Sequence, residues 1–241
     1  MIGVERLRFE FAGAPVFDGL DLDVPAGTVT ALVGPSGCGK STLLRIVAGL
    51  LSPTAGAVHV PDPTPGRGVG LVFQDPRLLP WMTVRQNLAF AREAAGVDGE
   101  VGPLLDLVGL GHALDLKPAQ LSGGMAQRVA LVRTLQLRPR VLLLDEPFAA
   151  VDPLLREGLQ SSLQALLAAA DTTTVVVTHD VGEALVLGDR VVVLAGRPAG
   201  IRTAIDVREP RPRGEAFRLS PGFLALEREV RAALADGASA R

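Results

Sequence analysis

The sequence predicts an α/β fold with a mainly parallel sheet, an antiparallel N-terminal portion and an inserted α-helical subdomain. Three observations carry this. Short apolar, β-branched runs (Thr28–Val33, Val141–Leu144, Val175–Val177, Val191–Leu194) have the length of buried strands. Two glycine-bearing turns open directly onto helix-periodic segments. Between about residues 75 and 138 the pattern turns mainly helical. This divides the chain into a core at about 1–74 and 139–207, a helical subdomain at about 75–138 and a C-terminal helical extension at about 214–236.

The first turn is Gly34-Pro35-Ser36-Gly37-Cys38-Gly39-Lys40-Ser41-Thr42. It fits G-x-x-x-x-G-K-[ST] without a mismatch. Before it runs the strand Thr28–Val33, and after it Leu43, Leu44, Val47 and Leu50 recur at helical spacing. Strand, glycine loop and helix together make a phosphate cradle. The glycines let successive N–H groups face inward, toward an anion at the helix N-terminus. Lys40 would reach the β- and γ-phosphates, and the Ser41 hydroxyl would be a ligand of Mg²⁺.

Bulk properties narrow the classes. A hydrophobic content of 48% over 241 residues allows a sizeable core. A net charge of −2 sets up no global field for nucleic acid or acidic lipid, so no nucleic-acid partner is expected. Lys40 and Lys117 are the only lysines, which makes a lysine at the loop position less accidental. The N-terminus lacks the basic and apolar regions of a signal peptide, and no apolar run approaches the ~18–20 residues that span a bilayer. A soluble, cytoplasmic chain is the expectation. Cys38 is the only cysteine, so neither an intrachain disulfide nor a zinc cluster is expected. It is either an alkylation-sensitive thiol in the loop or a small residue that fits there.

Residues 1–27 read as short strands interrupted at Gly13, Pro15, Asp18-Gly19 and Pro25-Ala26-Gly27. Phe11 is either a core aromatic or a platform for an adenine ring. The stretch 53–73 is rich in proline and glycine, and His59 between Val58 and Val60 is a strand residue rather than a ligand. Gly70–Phe73 is a buried strand ending at Gln74, which is placed to approach Mg²⁺ or an attacking water. Thr83 is a candidate cap for a helix through Val84, Leu88 and Phe90, and a second helix passes Val101, Leu104, Leu105 and Val108. Trp81 either packs or faces a partner.

The second turn is Leu121-Ser122-Gly123-Gly124, with Ser122 as N-cap of a helix over Met125–Leu137. One triphosphate is already held by residues 34–42. If the turns lie apart, the second serves a nucleotide bound to another copy, which implies a head-to-tail homodimer with ATP at the interface. Asp145 and Glu146 end the apolar run Val141–Leu144. Asp145 suits a Mg²⁺ shell and Glu146 a general base or water-orienting group. Asp152, before Pro153, reads alone as a helix cap. His179 ends Thr172–Thr178 and is either structural or a γ-phosphate contact. Phe223, Leu226, Val230 and Leu234 form the stripe of an amphipathic C-terminal helix. Arg208, Arg211 and Arg213 read as a solvated connector.

Taken together, the loop 34–42, Gln74, Leu121–Met125, Asp145-Glu146, Asp152 and His179 resemble, in order and spacing, the ATP-binding subunit of an ABC transporter, a P-loop NTPase with a RecA-like core. Gln74–Trp81, Thr178–Leu185, Asp189-Arg190-Val191 and Arg197-Pro198 resemble the bacterial importers for nitrate, sulfonates or taurine. The resemblance implies ATP and Mg²⁺ as cofactors. Gly34–Thr42 would hold phosphates and metal, and Phe11 the adenine. Gln74 would sense the γ-phosphate, and Asp145 would support the metal. Ser122, Gly123 and Gly124 would close on ATP of the opposite protomer. Glu146 would position water, Asp152 would act across the dimer interface and His179 would read the γ-phosphate. Integral membrane permease subunits at the cytoplasmic face are implied, with a periplasmic or extracellular substrate-binding protein acting indirectly. Ala126, Ala149-Ala150-Val151 and a shortened 58–70 depart from the usual pattern.

The alternatives are a non-transport ABC ATPase acting on nucleic acid or the ribosome, a small-molecule P-loop kinase and a scaffold with little turnover. The first would carry a long coiled-coil insertion or two cassettes, and neither is present. The second has no need of the Leu121–Gly124 turn. Glu146 and His179 argue against the third.

Overall fold

The computed structural model describes residues 1–61, 68–98, 102–149, 151, 153–170 and 172–239. Two β-sheets share the work. β1 (Ile2–Phe11), β2 (Ala14–Val24) and β4 (Ala55–His59) form an antiparallel sheet in the order β2-β1-β4. The second sheet contains β3 (Val29–Val33), β5 (Val69–Val72), β6 (Val141–Asp145), β7 (Thr173–Thr178), β8 (Arg190–Ala195) and β9 (Gly200–Asp206). Its order is β5-β6-β7-β3-β8-β9, and every pairing is parallel except β8 with β9.

The parallel strands are buried on both sides, and alternation divides their side chains between two layers. Leu142 and Leu144 of β6 and Val176 of β7 join one apolar cluster. Their neighbours Val141, Leu143, Val175 and Val177 join another. The helices sort by the same rule. α1 (Lys40–Val47) contributes Leu43, Leu44, Ile46 and Val47 to the cluster shared with β1 and β2. α2 (Val84–Ala95), α3 (Gly102–Leu107), α4 (Gly123–Leu135) and α5 (Pro153–Ala169) cover the other face. There, α6 (Val181–Leu187) and α8 (Pro221–Ser239) pack beside Ala31, Val33, Val191 and Val193.

Several sequence expectations change. Pro15 and Asp18-Gly19 do not interrupt a strand, because β2 runs through them. The register slips by one residue between Leu7↔Leu20 and Arg8↔Asp18, and Gly19 takes φ +86° there, so the turn signal marks a β-bulge. α1 stops at Val47 with Gly49 at φ +71°, which leaves Leu50 outside the helix and exposed. Val101 lies outside the described residues, and α3 spans only Gly102–Leu107. Thr83 caps α2 with a capping box, its hydroxyl accepting from Gln86 N–H.

The C-terminal segment is two helices, α7 (Glu215–Arg218) and α8, rather than one. Pro221 cannot extend α7, whereas it suits the first turn of α8, and Ser220 Oγ accepts from Phe223 N–H. Arg213 is not a solvated connector either. It is 3% exposed and donates to the carbonyls of Leu185, Gly188, Val207 and Glu209. Arg211 forms a two-pronged pair with Asp189. These bonds tie the extension to the ends of α6 and β9.

Candidate nucleotide-binding site

Parallel pairing puts the carboxyl ends of β3, β6 and β7 side by side, and the sequence places its polar groups there. Residues 34–39 leave β3 and turn into α1. Gly39 is the N-cap, at φ +103°. A Cβ there would stand 2.7 Å from Val16 Cγ1 and 2.9 Å from Phe17 Cζ, so the position admits only glycine on both backbone and steric grounds. Lys40 is 5% exposed, and its Nζ donates to the Gly34 and Pro35 carbonyls at 2.7 and 3.0 Å. The ammonium is thus folded back over its own loop.

Ser41 Oγ donates to Asp145 Oδ1 at 2.8 Å across α1 and β6. Burial pushes the Asp145 carboxyl above its usual range, the Ser41 hydrogen bond pulls it down and the neighbouring Glu146 charge pushes it up again. Glu146 occupies the left-handed region at φ +48°, a costly conformation for a non-glycine residue. Its N–H donates to the Val177 carbonyl at 2.9 Å, and its Oε2 lies 3.1 Å from His179 Nδ1. Adjacent strands therefore hold the water-orienting candidate and the histidine in contact.

An open cleft of about 260 Å³ is lined by Phe11, Val16, Ser36, Gly37, Gly39, Lys40, Ser41, Thr42 and Glu146. Phe11 is half-exposed and meets Phe9 edge-to-face at 4.8 Å, so it is a wall of the cleft rather than a core aromatic. Cys38 is buried behind the loop, and burial pushes its thiol up, which favours the reading of a small residue that fits.

Of the other singled-out residues, none of those described lines the cleft. Gln74 is exposed two residues beyond β5. Ser122 caps α4, its Oγ accepting from Met125 N–H at 3.3 Å. The turn Ser122-Gly123-Gly124 does not line the cleft, and its helix covers the face of the sheet opposite α1. Asp152 lies outside the described residues. Trp81 is 68% exposed, so most of its ring is not packed on this chain. Sequence reasoning left two residues unassigned to the site. Val16, in β2, lines the cleft. Arg197 sits in the β8–β9 turn close enough that a Cβ on Gly37 would be 3.4 Å from its guanidinium. Pairing of β8 with β3 is the signal that brings Arg197 there.

Oxygen donors on Ser41 and Asp145 suit a hard divalent cation. Among the described residues no group of three His, Cys, Asp or Glu side chains could hold a metal.

Comparison with known proteins identifies the family of the chain. The family profile described as ABC transporter matches residues 17–149. The aliphatic sulfonates import ATP-binding protein of Pseudomonas savastanoi pv. phaseolicola is 50% identical over 206 residues, 86% of this chain and 85% of that protein. The bicarbonate transport ATP-binding protein of Synechococcus elongatus is 45% identical over 227 residues, 88% of this chain and 34% of that protein. The dimeric structure of a bacterial ABC transporter cassette superposes with a TM-score of 0.75 at 27% identity, covering 87% of this chain and all of that one. On this evidence the chain belongs to the ABC transporter family, as an ATP-binding cassette with the P-loop NTPase fold.

Proposed function

We propose that this chain is the ATP-binding and ATP-hydrolysing subunit of an ABC importer. The observation that carries the reading is the convergence of Lys40, the Ser41–Asp145 pair and the Glu146–His179 pair at the ends of three adjacent parallel strands. The loop amides and Lys40 bind the phosphates, and Phe11 stacks on the adenine. Ser41 and Asp145, with Gln74 from the end of β5, would hold Mg²⁺, which would supply neutralisation of phosphate charge when bound. Glu146 orients a water for in-line attack at the γ-phosphorus and takes its proton as the bond to the β-phosphate oxygen breaks. His179 steadies Glu146 and contacts the γ-phosphate.

The second glycine turn extends the reading. Ser122, Gly123 and Gly124 close on ATP held by residues 34–42 of a second copy, giving a head-to-tail homodimer, and Asp152 acts across that interface. Closure drives permease subunits in the membrane from the cytoplasmic side, and a substrate-binding protein delivers the solute. Among the described residues no helix is long and apolar enough to cross a membrane. The relatives named for sulfonate and bicarbonate transport support a small solute, here of the nitrate, sulfonate or taurine type.

Replacing Glu146→Gln tests the reading. ATP binding should persist while turnover falls by about 10²-fold or more, and the variant should accumulate as an ATP-bound dimer in size-exclusion chromatography. Wild-type ATPase activity in that variant would refute it.

A further inference from the structure

His179 is flanked by a buried polar unit that the hydrolysis chemistry does not use. Thr178 Oγ1 donates to Glu183 Oε2 at 2.6 Å and accepts from Asp180 N–H at 3.0 Å, so both roles of the hydroxyl are taken. Asp180 Oδ1 accepts from Glu183 N–H at 3.0 Å and caps α6. Arg156 of α5 reaches the other oxygen of each acid, with its Nη1 3.5 Å from Asp180 Oδ2 and its Nε 3.6 Å from Glu183 Oε1. The Glu183 side chain is 6% exposed. A carboxylate so buried is costly unless its lone pairs are satisfied, and its partners here are Thr178, just before His179, and Arg156 on α5, while the Glu183 backbone N–H holds Asp180, just after it.

A helix cap alone would need only Asp180. The extra charge pair does something a cap does not: it clamps residues 178 and 180 from two directions. The peptide between them has little freedom, and the residue it carries is the one whose imidazole meets Glu146. We propose that Thr178, Glu183 and Arg156 are positioning residues for His179, and that the clamp links its setting to α5, the helix that starts immediately after Asp152. This rests on the function proposed above.

The test uses the purified full chain, with ATPase kinetics, nucleotide binding and thermal unfolding measured together. Thr178→Val keeps the side-chain shape and suits a strand. It should lower kcat by about tenfold or more, as a displaced catalytic contact does. KM for ATP should stay within about twofold, because the phosphate loop is untouched. Thr178→Ser should restore kcat. Glu183→Gln, which preserves shape and removes charge, is the second probe and should lower kcat in the same direction. In a His179→Ala background neither substitution should reduce the rate further, since a positioning residue acts only through the group it positions. Wild-type kcat in both single variants would overturn the inference. So would a full additional loss in the His179→Ala background, which is what general destabilisation produces. If His179→Ala itself retains full activity, the function proposed for the site fails instead.

Discussion

The two glycine turns look alike in sequence, yet the fold treats them differently. Each opens a helix. Gly34–Thr42 is surrounded by its own chain: Val16 and Phe17 press on Gly39, Lys40 is buried, and Ser41 is bonded to Asp145. Ser122 and Gly123 are exposed, and among the described residues the Ser122 hydroxyl bonds its own helix. Similar local signals therefore yield one turn surrounded by charged and polar groups of its own chain and one turn at the surface, which under the proposed function closes on the ATP of a second copy. An anion cradle becomes catalytic only when other strands bring charge to it.

The sharpest way to break this contrast is to disable each turn separately. Ser122→Arg should leave the monomer folded, losing about 1 kcal/mol for the cap. It should bind ATP normally through residues 34–42, and it should lose hydrolysis by about 10²-fold. Lys40→Ala should bind or hydrolyse ATP poorly. Mixing the two inactive chains should return at most about a quarter of wild-type turnover, because half of random dimers are mixed and each carries one intact site. No recovery on mixing would remove the head-to-tail arrangement. A smaller effect is expected from Gly39→Ala, whose backbone strain should weaken nucleotide binding by about ten- to a hundredfold in fluorescence titration. Unchanged affinity would mean that the loop does not need its left-handed residue. The smallest effect concerns Cys38. Because burial raises its thiol, iodoacetamide at neutral pH should label the native chain at least about tenfold more slowly than the unfolded chain, read by mass spectrometry. Rapid native labelling that blocks ATP would restore the reactive reading.

Much of the site was legible because its signals are local. The loop motif, the acids ending β6 and the histidine ending β7 each need only a strand followed by a polar residue. Punctuation was less reliable. Asp18-Gly19 has the composition of a turn, but β1 supplies a pairing partner on both sides and converts the break into a bulge. Arg213 among prolines looks solvated until backbone carbonyls at and just beyond the ends of α6 and β9 converge on it. No local pattern places Val16 or Arg197 at the loop, since their nearness to it depends on which strands pair.

The sequence by itself determined the class of fold, the phosphate loop and the residue types that face it, because strand length, helix period and turn chemistry are written within a few neighbouring residues. Only the tertiary structure decided which groups meet. The order β6-β7-β3 brings Asp145, Glu146 and His179 to Lys40. The alternation of side chains puts α1 and α4 on opposite faces, which separates the two glycine turns within one chain. Those outcomes depend on strand order and on the face each crossover takes, and no local window of residues contains either.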